Sequence, residues 1–285
     1  MKRIALATSE TFASLTDDDR LLMEPLQDHG FLAVPAVWSD PGIAWSDYDA
    51  VILRSCWDYH LRLTEFLAWV ESLAKAGLRI WNPPEMIRWN ADKTYLRDLE
   101  RRGVPIVPTL WPETRMNLGE QLRALGWGRA VVKPRVSATA HRTELISTGD
   151  AHLTQPLVDD LIAGPGVMVQ QFMDAIQSRG EWSLIFFAGQ FSHAVIKTPK
   201  PGDFRVQHDF GGLERSAQAP SAIRNAAEHL LVALDQAPLY ARVDGVESEG
   251  RLLLMELELI EPALFLALDA GAAGRFASSI AERFR

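Results

Sequence analysis

The sequence has a single cysteine, Cys56, in 285 residues. A disulfide framework is thereby excluded, as is a structural zinc site built on thiolates. No stretch reaches the roughly 18 consecutive apolar residues that a membrane-spanning helix needs, so a membrane partner is not expected. The opening apolar run, from Ile4 to Ala7, is too short for a signal-peptide core and gives way to Thr8-Ser9-Glu10; the expected location is cytoplasmic. Positive charge is in deficit, with 29 Lys and Arg against 37 Asp and Glu, a net charge of −8. That balance supplies no basic face for nucleic acid or for an anionic membrane surface. The seven histidines show no HxH or HxxxH spacing, and no Ser/His/Asp arrangement stands out. Internal repeats and low-complexity tracts are missing too.

What is present is an ordinary globular composition, 47% hydrophobic and 23% charged. Short apolar runs at residues 4–7, 32–37, 48–54 and 79–82 read as strands. Helical periodicity separates them at 17–29 and 63–76. Strands alternating with helices predict a parallel sheet with right-handed crossovers. Ligands of such sheets bind beyond the strand C-termini, which places Arg54, Ser55, Trp57, Asp58 and Tyr59 at a candidate substrate site. Pro83-Pro84 is expected to end this lobe. Residues 89–102 read as one helix carrying Lys93, and 129–134 as a strand ending in Lys133 and followed by a loop of small and hydroxyl residues over 136–143. The remainder reads as antiparallel hairpins, 181–188 with 190–197 and 240–246 with 252–258, with a helix over 222–234 between them.

The second hairpin carries the strongest chemical signal. Arg242-Val243-Asp244 lies on one strand and Glu256-Leu257-Glu258 on the other. Residues two apart on a strand share a face, so three carboxylates and a guanidinium can converge. Crowded carboxylates need a counter-charge, and a hard divalent cation bridging nucleotide phosphates supplies it. The same alternation suits a solvated edge face, but the neighbouring Leu253, Leu254, Leu257, Leu259 and Ile260 read as a buried strand, and Glu261-Pro262 extends the acidic cluster. Lys93, and Lys133 with the Ser137 loop behind it, are candidates for holding phosphate. The segment from Lys197 to Arg205, followed by Gly211-Gly212, reads as an anion-binding loop, with Arg205 on a substrate carboxylate or a transferring phosphate. His193 and His208 lie near that loop and are the two histidines with a candidate role there.

In this order along nearly the whole chain, these motifs resemble the ATP-grasp superfamily of ligases. Arg242-Val243-Asp244 with Glu256-Leu257-Glu258 is similar to the Arg-x-Asp and Glu-x-Asn pair of D-alanine–D-alanine ligases, and also to the Asp and Glu-x-Asn pair of bacterial glutathione synthetases. Arg54-Ser55-Cys56-Trp57-Asp58-Tyr59, Trp89-Asn90-Ala91-Asp92-Lys93 and the segment from Glu256 to Phe265 resemble the subgroup that includes the cyclo-ligase of D-cycloserine biosynthesis, which closes O-ureido-D-serine. The resemblance implies an α/β ATP-grasp fold. It comprises a parallel-sheet lobe over 1–84, a small subdomain with the phosphate loop over 85–168, and a C-terminal subdomain with the metal site over 169–285.

The resemblance further implies ATP and Mg²⁺ (or Mn²⁺) as cofactors, with Asp244, Glu256 and Glu258 holding the metal and Arg242 stabilising an acyl phosphate. Lys93 and Lys133 would be the nucleotide lysines, Gln171, Phe172 and Met173 the adenine hinge, and Glu181 the acid near the sugar or base. Arg54, Trp57, Asp58, Lys197 and Gly212 would face a small amino-acid-like substrate. Self-association into a homodimer is expected from related ligases. The implied activity is carboxylate activation followed by attack of an amine-type nucleophile; a non-catalytic nucleotide module and a small-molecule kinase are the alternatives. Two departures stand out: Glu258 replaces the usual asparagine, and loop 136–143 lacks glycine.

Overall fold

Residues 4–8 of strand β1 (Lys2–Thr8) are buried throughout, as befits an inner strand covered on both faces. The computed structural model, which describes residues 1–206 and 210–285, pairs β1 in parallel with β2 (Phe31–Val37) and β3 (Ala50–Leu53). Strand β4 (Arg79–Trp81) completes a sheet of order β2-β1-β3-β4. The helix expected over 17–29 is two helices, α1 (Asp17–Arg20) and α2 (Met23–Asp28). Pro25 explains the break. It sits in the first turn of α2, where its missing N–H costs no intrahelical bond, and it would interrupt a longer helix. Helix α3 (Leu63–Lys75) lays Phe66, Val70 and Leu73, spaced four and three apart, into the core.

The single helix expected over 89–102 is likewise two. Helix α4 (Pro84–Asn90) starts earlier, with Pro84 at its first turn, so Pro83-Pro84 opens a helix directly after β4. Helix α5 (Tyr95–Arg101) follows. Lys93 therefore lies in the turn between them and not on a helix. Asp92 enforces the turn by accepting from the Thr94 N–H at 2.9 Å, a local bond that competes with helix continuation. The Lys93 N–H is turned outward to the Arg135 carbonyl at 3.0 Å.

A second sheet, antiparallel throughout, has the order β5-β8-β6-β7. Its strands are β5 (Thr109–Leu110), β6 (Arg129–Pro134), β7 (Glu144–Ser147) and β8 (Val167–Gln171). Helices α6 (Leu118–Ala124) and α7 (Ala151–Ala163) close its core around Leu122, Val132, Val158 and Val169. Strand β8 spans the boundary expected at residue 168. Helix α8 (Ala175–Arg179) then leads into the third sheet.

That sheet, of order β11-β10-β9-β12-β13, is built from β9 (Glu181–Phe187), β10 (Gln190–Thr198), β11 (Leu213–Ala217), β12 (Tyr240–Ser248) and β13 (Arg251–Glu258). Its two faces separate by the period of two. Trp182, Leu184, Phe186, Ile196, Ala241, Val243 and Leu257 face a core closed by helix α9 (Ser221–Val232) and α5. At one end of the opposite face, Ile185, Phe187, Val195 and Tyr240 pack with helix α10 (Ala272–Arg283) and the first lobe. The other end of that face carries the charges.

Candidate active site

The register of the third sheet gathers the predicted residues into rows. On β12 and β13, Asp244 lies opposite Glu256 and Arg242 opposite Glu258. On β9 and β10, Glu181 lies opposite Lys197, and Ser183 is the β9 neighbour of Asp244. All of these except Ser183 line one cavity of about 270 Å³. A bulge between Asp244 and Gly245 inserts Met255 into β13 directly beside the Asp244–Glu256 pair.

Strand β13 is an edge, and an open edge leaves N–H and C=O groups unsatisfied. The α4–α5 turn covers it with side chains. Asn90 donates to the Leu257 carbonyl at 2.8 Å and accepts from the Leu259 N–H at 2.9 Å, while Tyr95 Oη accepts from the Leu257 N–H at 2.9 Å. Segment 105–107 pairs with Leu254 further along. This covering brings Lys93 across the edge to Glu256, 2.9 Å from its carboxylate, and to the Ser137 carbonyl at 2.6 Å.

Every acid of the row has a cationic partner. Arg242 straddles Asp244 (3.1 and 2.9 Å) and Glu258. Lys197 reaches Glu181 at 2.5 Å and Asp244 at 3.3 Å. Burial pushes the Asp244 carboxyl up, but Arg242 and Lys197 outweigh it and hold the acid down at about 2. Glu256 falls below its ordinary value for the same reason, with Lys93 and Lys133 overcoming burial. Glu258 goes the other way. Burial dominates over Arg242 and pushes it up to about 7. Lys133, alone among the lysines of the cavity, has no carboxylate within ion-pair distance among the described residues, and burial pulls its ammonium down.

Among the described residues, no three His, Cys, Asp or Glu side chains form a ready metal cage, because the acids are occupied by Arg242, Lys197 and Lys93. The donor chemistry nevertheless fits Mg²⁺. The carboxylates are hard oxygen donors on one wall, and Mg²⁺ is ordinarily held by one or two such groups together with phosphate oxygens and water.

The other expected residues divide. Lys133, Ser137, Gln171, Phe172, Met173, Glu181, Trp57 and Arg205 all line the cavity. Arg205 is clasped by Asp203 at 2.8 Å and stands 3.7 Å over the Phe210 ring. Lys197 lines it from within strand β10 rather than from a loop. Arg54, Asp58 and Gly212 do not line it. The Arg54 guanidinium is 1% exposed and is spent on Asp19 (2.8 Å) and the Pro262 carbonyl (2.8 Å), which leaves it no reach toward a substrate. Asp58 accepts from the Trp38 indole at 2.9 Å. His193 is a buried tie, its ring nitrogen 2.9 Å from the Leu264 carbonyl. His208 lies outside the described residues.

Three further residues belong to the site. Ser183 donates to Asp244 at 2.5 Å; its signal was its position two residues after Glu181, on the same face. Tyr59 and Glu261 line the cavity beside Trp57. Burial first, and then the charge of Glu258, push the Glu261 carboxyl up to about 8. Trp57 donates its indole N–H to the Glu261 carbonyl at 2.9 Å.

The chain is similar to known proteins over nearly its whole length. The family described as the N-terminal domain of D-cycloserine synthetase DcsG matches residues 4–82. The cycloserine biosynthesis protein DcsG of Streptomyces lavendulae is 31% identical over 299 residues, covering 99% of both chains. The crystal structure of D-cycloserine synthetase DcsG superposes with a TM-score of 0.91 at 30% identity, over 99% of this chain and all of that one. The ATP-grasp ligase PsnB, in complex with Mg, ADP and a variant of its minimal precursor, shares the fold at a TM-score of 0.66 and 15% identity, over 100% and 99% of the chains. No helix is long and apolar enough to cross a membrane among the described residues. The chain belongs to the family of D-cycloserine synthetase DcsG and has the fold of the ATP-grasp ligases.

Proposed function

We propose that this enzyme activates the carboxylate of a small amino-acid-like substrate as an acyl phosphate, which an amine-type nucleophile then converts to an amide or a closed ring. A carboxylate oxygen attacks the γ-phosphorus of ATP, and the bond to the β,γ-bridging oxygen breaks to release ADP. The nucleophilic nitrogen then attacks the acyl carbon, phosphate leaves with its electron pair, and the nitrogen gives up a proton. Little covalent chemistry falls to the protein in such a reaction; it positions groups and neutralises charge.

The observation that carries this reading is Lys133, without an ion-pair partner among the described residues, in one cavity with the paired acids Glu181, Asp244, Glu256 and Glu258. Lys133 and Lys93 hold phosphate oxygens, Gln171 to Met173 and Glu181 hold the base and sugar, and Asp244, Glu256 and Glu258 hold Mg²⁺. Mg²⁺ held there would neutralise phosphate charge and polarise the γ-phosphoryl group. Arg242 and Arg205 stabilise the acyl phosphate and the phosphate it releases. Trp57, beside Glu261, faces the substrate. The lobes over 1–84, 85–168 and 169–285 close around the nucleotide. The similarity to a D-cycloserine synthetase makes ring closure on a serine derivative the first reaction to try.

The test couples ADP formation to trapping. Amino acids of both configurations and O-ureido-D-serine are supplied with ATP and Mg²⁺, then with hydroxylamine. A ligase of this kind gives ADP and a hydroxamate; a kinase gives ADP and a stable phosphorylated product with no hydroxamate. Lys133→Met is expected to lower kcat/KM for ATP by about 100-fold, the scale of losing one charge that stabilises the transition state. Asp244→Asn is expected to abolish turnover and also to lower the melting temperature, since Arg242 and Lys197 both lean on that carboxylate.

A further inference from the structure

Glu261 stands apart from the other acids of the cavity. Glu181, Asp244, Glu256 and Glu258 each sit against a lysine or arginine. Glu261 is 7% exposed and has no cationic partner among the described residues. Burying a carboxyl in that condition is costly, yet its backbone is fixed from both sides. Trp57 holds the Glu261 carbonyl at 2.9 Å, and Arg54 holds the next carbonyl, that of Pro262, at 2.8 Å. These contacts keep Glu261 on the cavity wall with Trp57, Tyr59 and Phe265. An anionic oxygen among aromatic rings is the environment that receives an ammonium, through a charge-assisted hydrogen bond and the ring faces together.

Among the described residues, Lys133 and Glu261 line the cavity without an ion-pair partner of opposite sign. Glu256, then Lys93, Glu181 and Asp244, are the charges felt by Lys133, whereas Glu258, Lys93 and Arg242 are those felt by Glu261.

We propose that Glu261 recognises the ammonium group of the amino-acid-like substrate, orienting it against Trp57 and Tyr59 while the substrate carboxylate points toward the phosphoryl group. This rests on the ligase reading above and adds to it the substrate group that is selected and the residue that selects it. A carboxyl raised by burial and by Glu258 takes on charge when a cation arrives beside it, so the site favours a charged amine over a neutral hydroxyl of the same shape.

The experiment compares 2-amino acids of both configurations with the matching 2-hydroxy acids, reading ADP release by the wild-type enzyme, Glu261→Gln and Glu261→Asp, with KM for ATP measured in parallel. The wild type is expected to favour the amine-bearing acid. In Glu261→Gln its KM should rise by about 30-fold or more, the scale of deleting one partner of a buried charge pair, while KM for the hydroxy acid and for ATP stays within about twofold. Glu261→Asp should recover part of the preference. A Glu261→Gln enzyme that keeps the wild-type KM for the amine, or a wild type that treats amine and hydroxyl alike, overturns the assignment and leaves the ligase reading standing. No ADP from the wild type with any acid overturns the ligase reading itself, and this assignment with it.

Discussion

Arg54 and Glu261 are both buried, and Arg54 donates to the carbonyl of the residue after Glu261, yet they carry opposite consequences. Arg54 is fully paired, so its removal strands Asp19, itself 3% exposed. Arg54→Met is expected to cost about 3–5 kcal/mol, the scale of breaking a buried pair from one side, and to lower the melting temperature by on the order of 10 °C. A substrate-contact role would instead raise KM at an unchanged melting temperature. Glu261 is unpaired, and its folded value of about 8 lies above the ordinary 4.5. The folded state then holds a proton that the unfolded state releases, so stability is full below about pH 4.5 and drains away as pH rises through about 8. Glu261→Gln removes that drain. Thermal unfolding should show the variant equal to the wild type at pH 4.5 and higher by at least ~2 °C at pH 8. Which residues lie beyond the strand C-termini was legible from the sequence, because the parallel-sheet rule points to 54–59. Which of them look into the cavity was not. Alternation stops where β3 ends, and the partners that capture Arg54 and Asp58, namely Asp19 and Trp38, come from elsewhere in the chain.

At the scale of elements, the site depends on how β13 is kinked and how its edge is covered. The bulge needs Gly245. A Cβ there would stand 2.7 Å from the Leu253 carbonyl oxygen and 2.6 Å from Leu252 Cδ1, and the backbone oxygen cannot swing away. Gly245→Ala is expected to cost about 1–3 kcal/mol, as overpacking does. It should also raise the Mg²⁺ concentration needed for half-maximal ADP formation, because straightening the bulge separates Asp244 from Glu256. A melting curve and a Mg²⁺ titration of the same variant check both effects. The hairpin itself was readable: Glu249 and Gly250 both take left-handed φ, 52° and 75°, the geometry of the tight turn that joins twisted strands. The interruption between α4 and α5 was harder to read. Leucines and charged residues continue the helical period straight through it, and only Asn90 and Asp92 signal that side chains compete for the backbone. That competition turns Lys93 toward Glu256, so the misread boundary lies at a candidate site residue.

For the whole molecule, the cavity wall bears, among the described residues, five cationic side chains and six acidic ones, so that wall is short of positive charge for a polyanionic nucleotide until Mg²⁺ accompanies it. The loop over 136–143 spans this cavity and joins the lobes around it. Its Ser137 carbonyl is held by Lys93, Arg142 pairs with Asp160 on α7 at 2.5 Å, and Ala138 packs against the core of the first lobe. The His141 ring lies 5.4 Å from that of His60, in the first lobe. The loop does this without glycine, holding Thr139, Ala140 and Arg142 at φ of 48°, 54° and 52°. A side chain in the left-handed region costs roughly 1–2 kcal/mol per residue, so these cross-lobe contacts are what keep the loop in this conformation. Ala140→Gly relieves one such cost in the folded state, whereas Ala140→Val raises it, because a β-branched residue tolerates positive φ least. Amide hydrogen exchange over 137–143 should therefore slow in Ala140→Gly and quicken in Ala140→Val relative to the wild type, with strand β6 unchanged in all three. A loop that relied on glycine-like mobility to close would show no such order, since its native backbone would carry no cost for substitution to relieve. An ATP analogue should slow exchange in all three proteins and narrow the spread between them, because phosphate contacts at Ser137 would then replace strain-opposed packing as the force that holds the loop down.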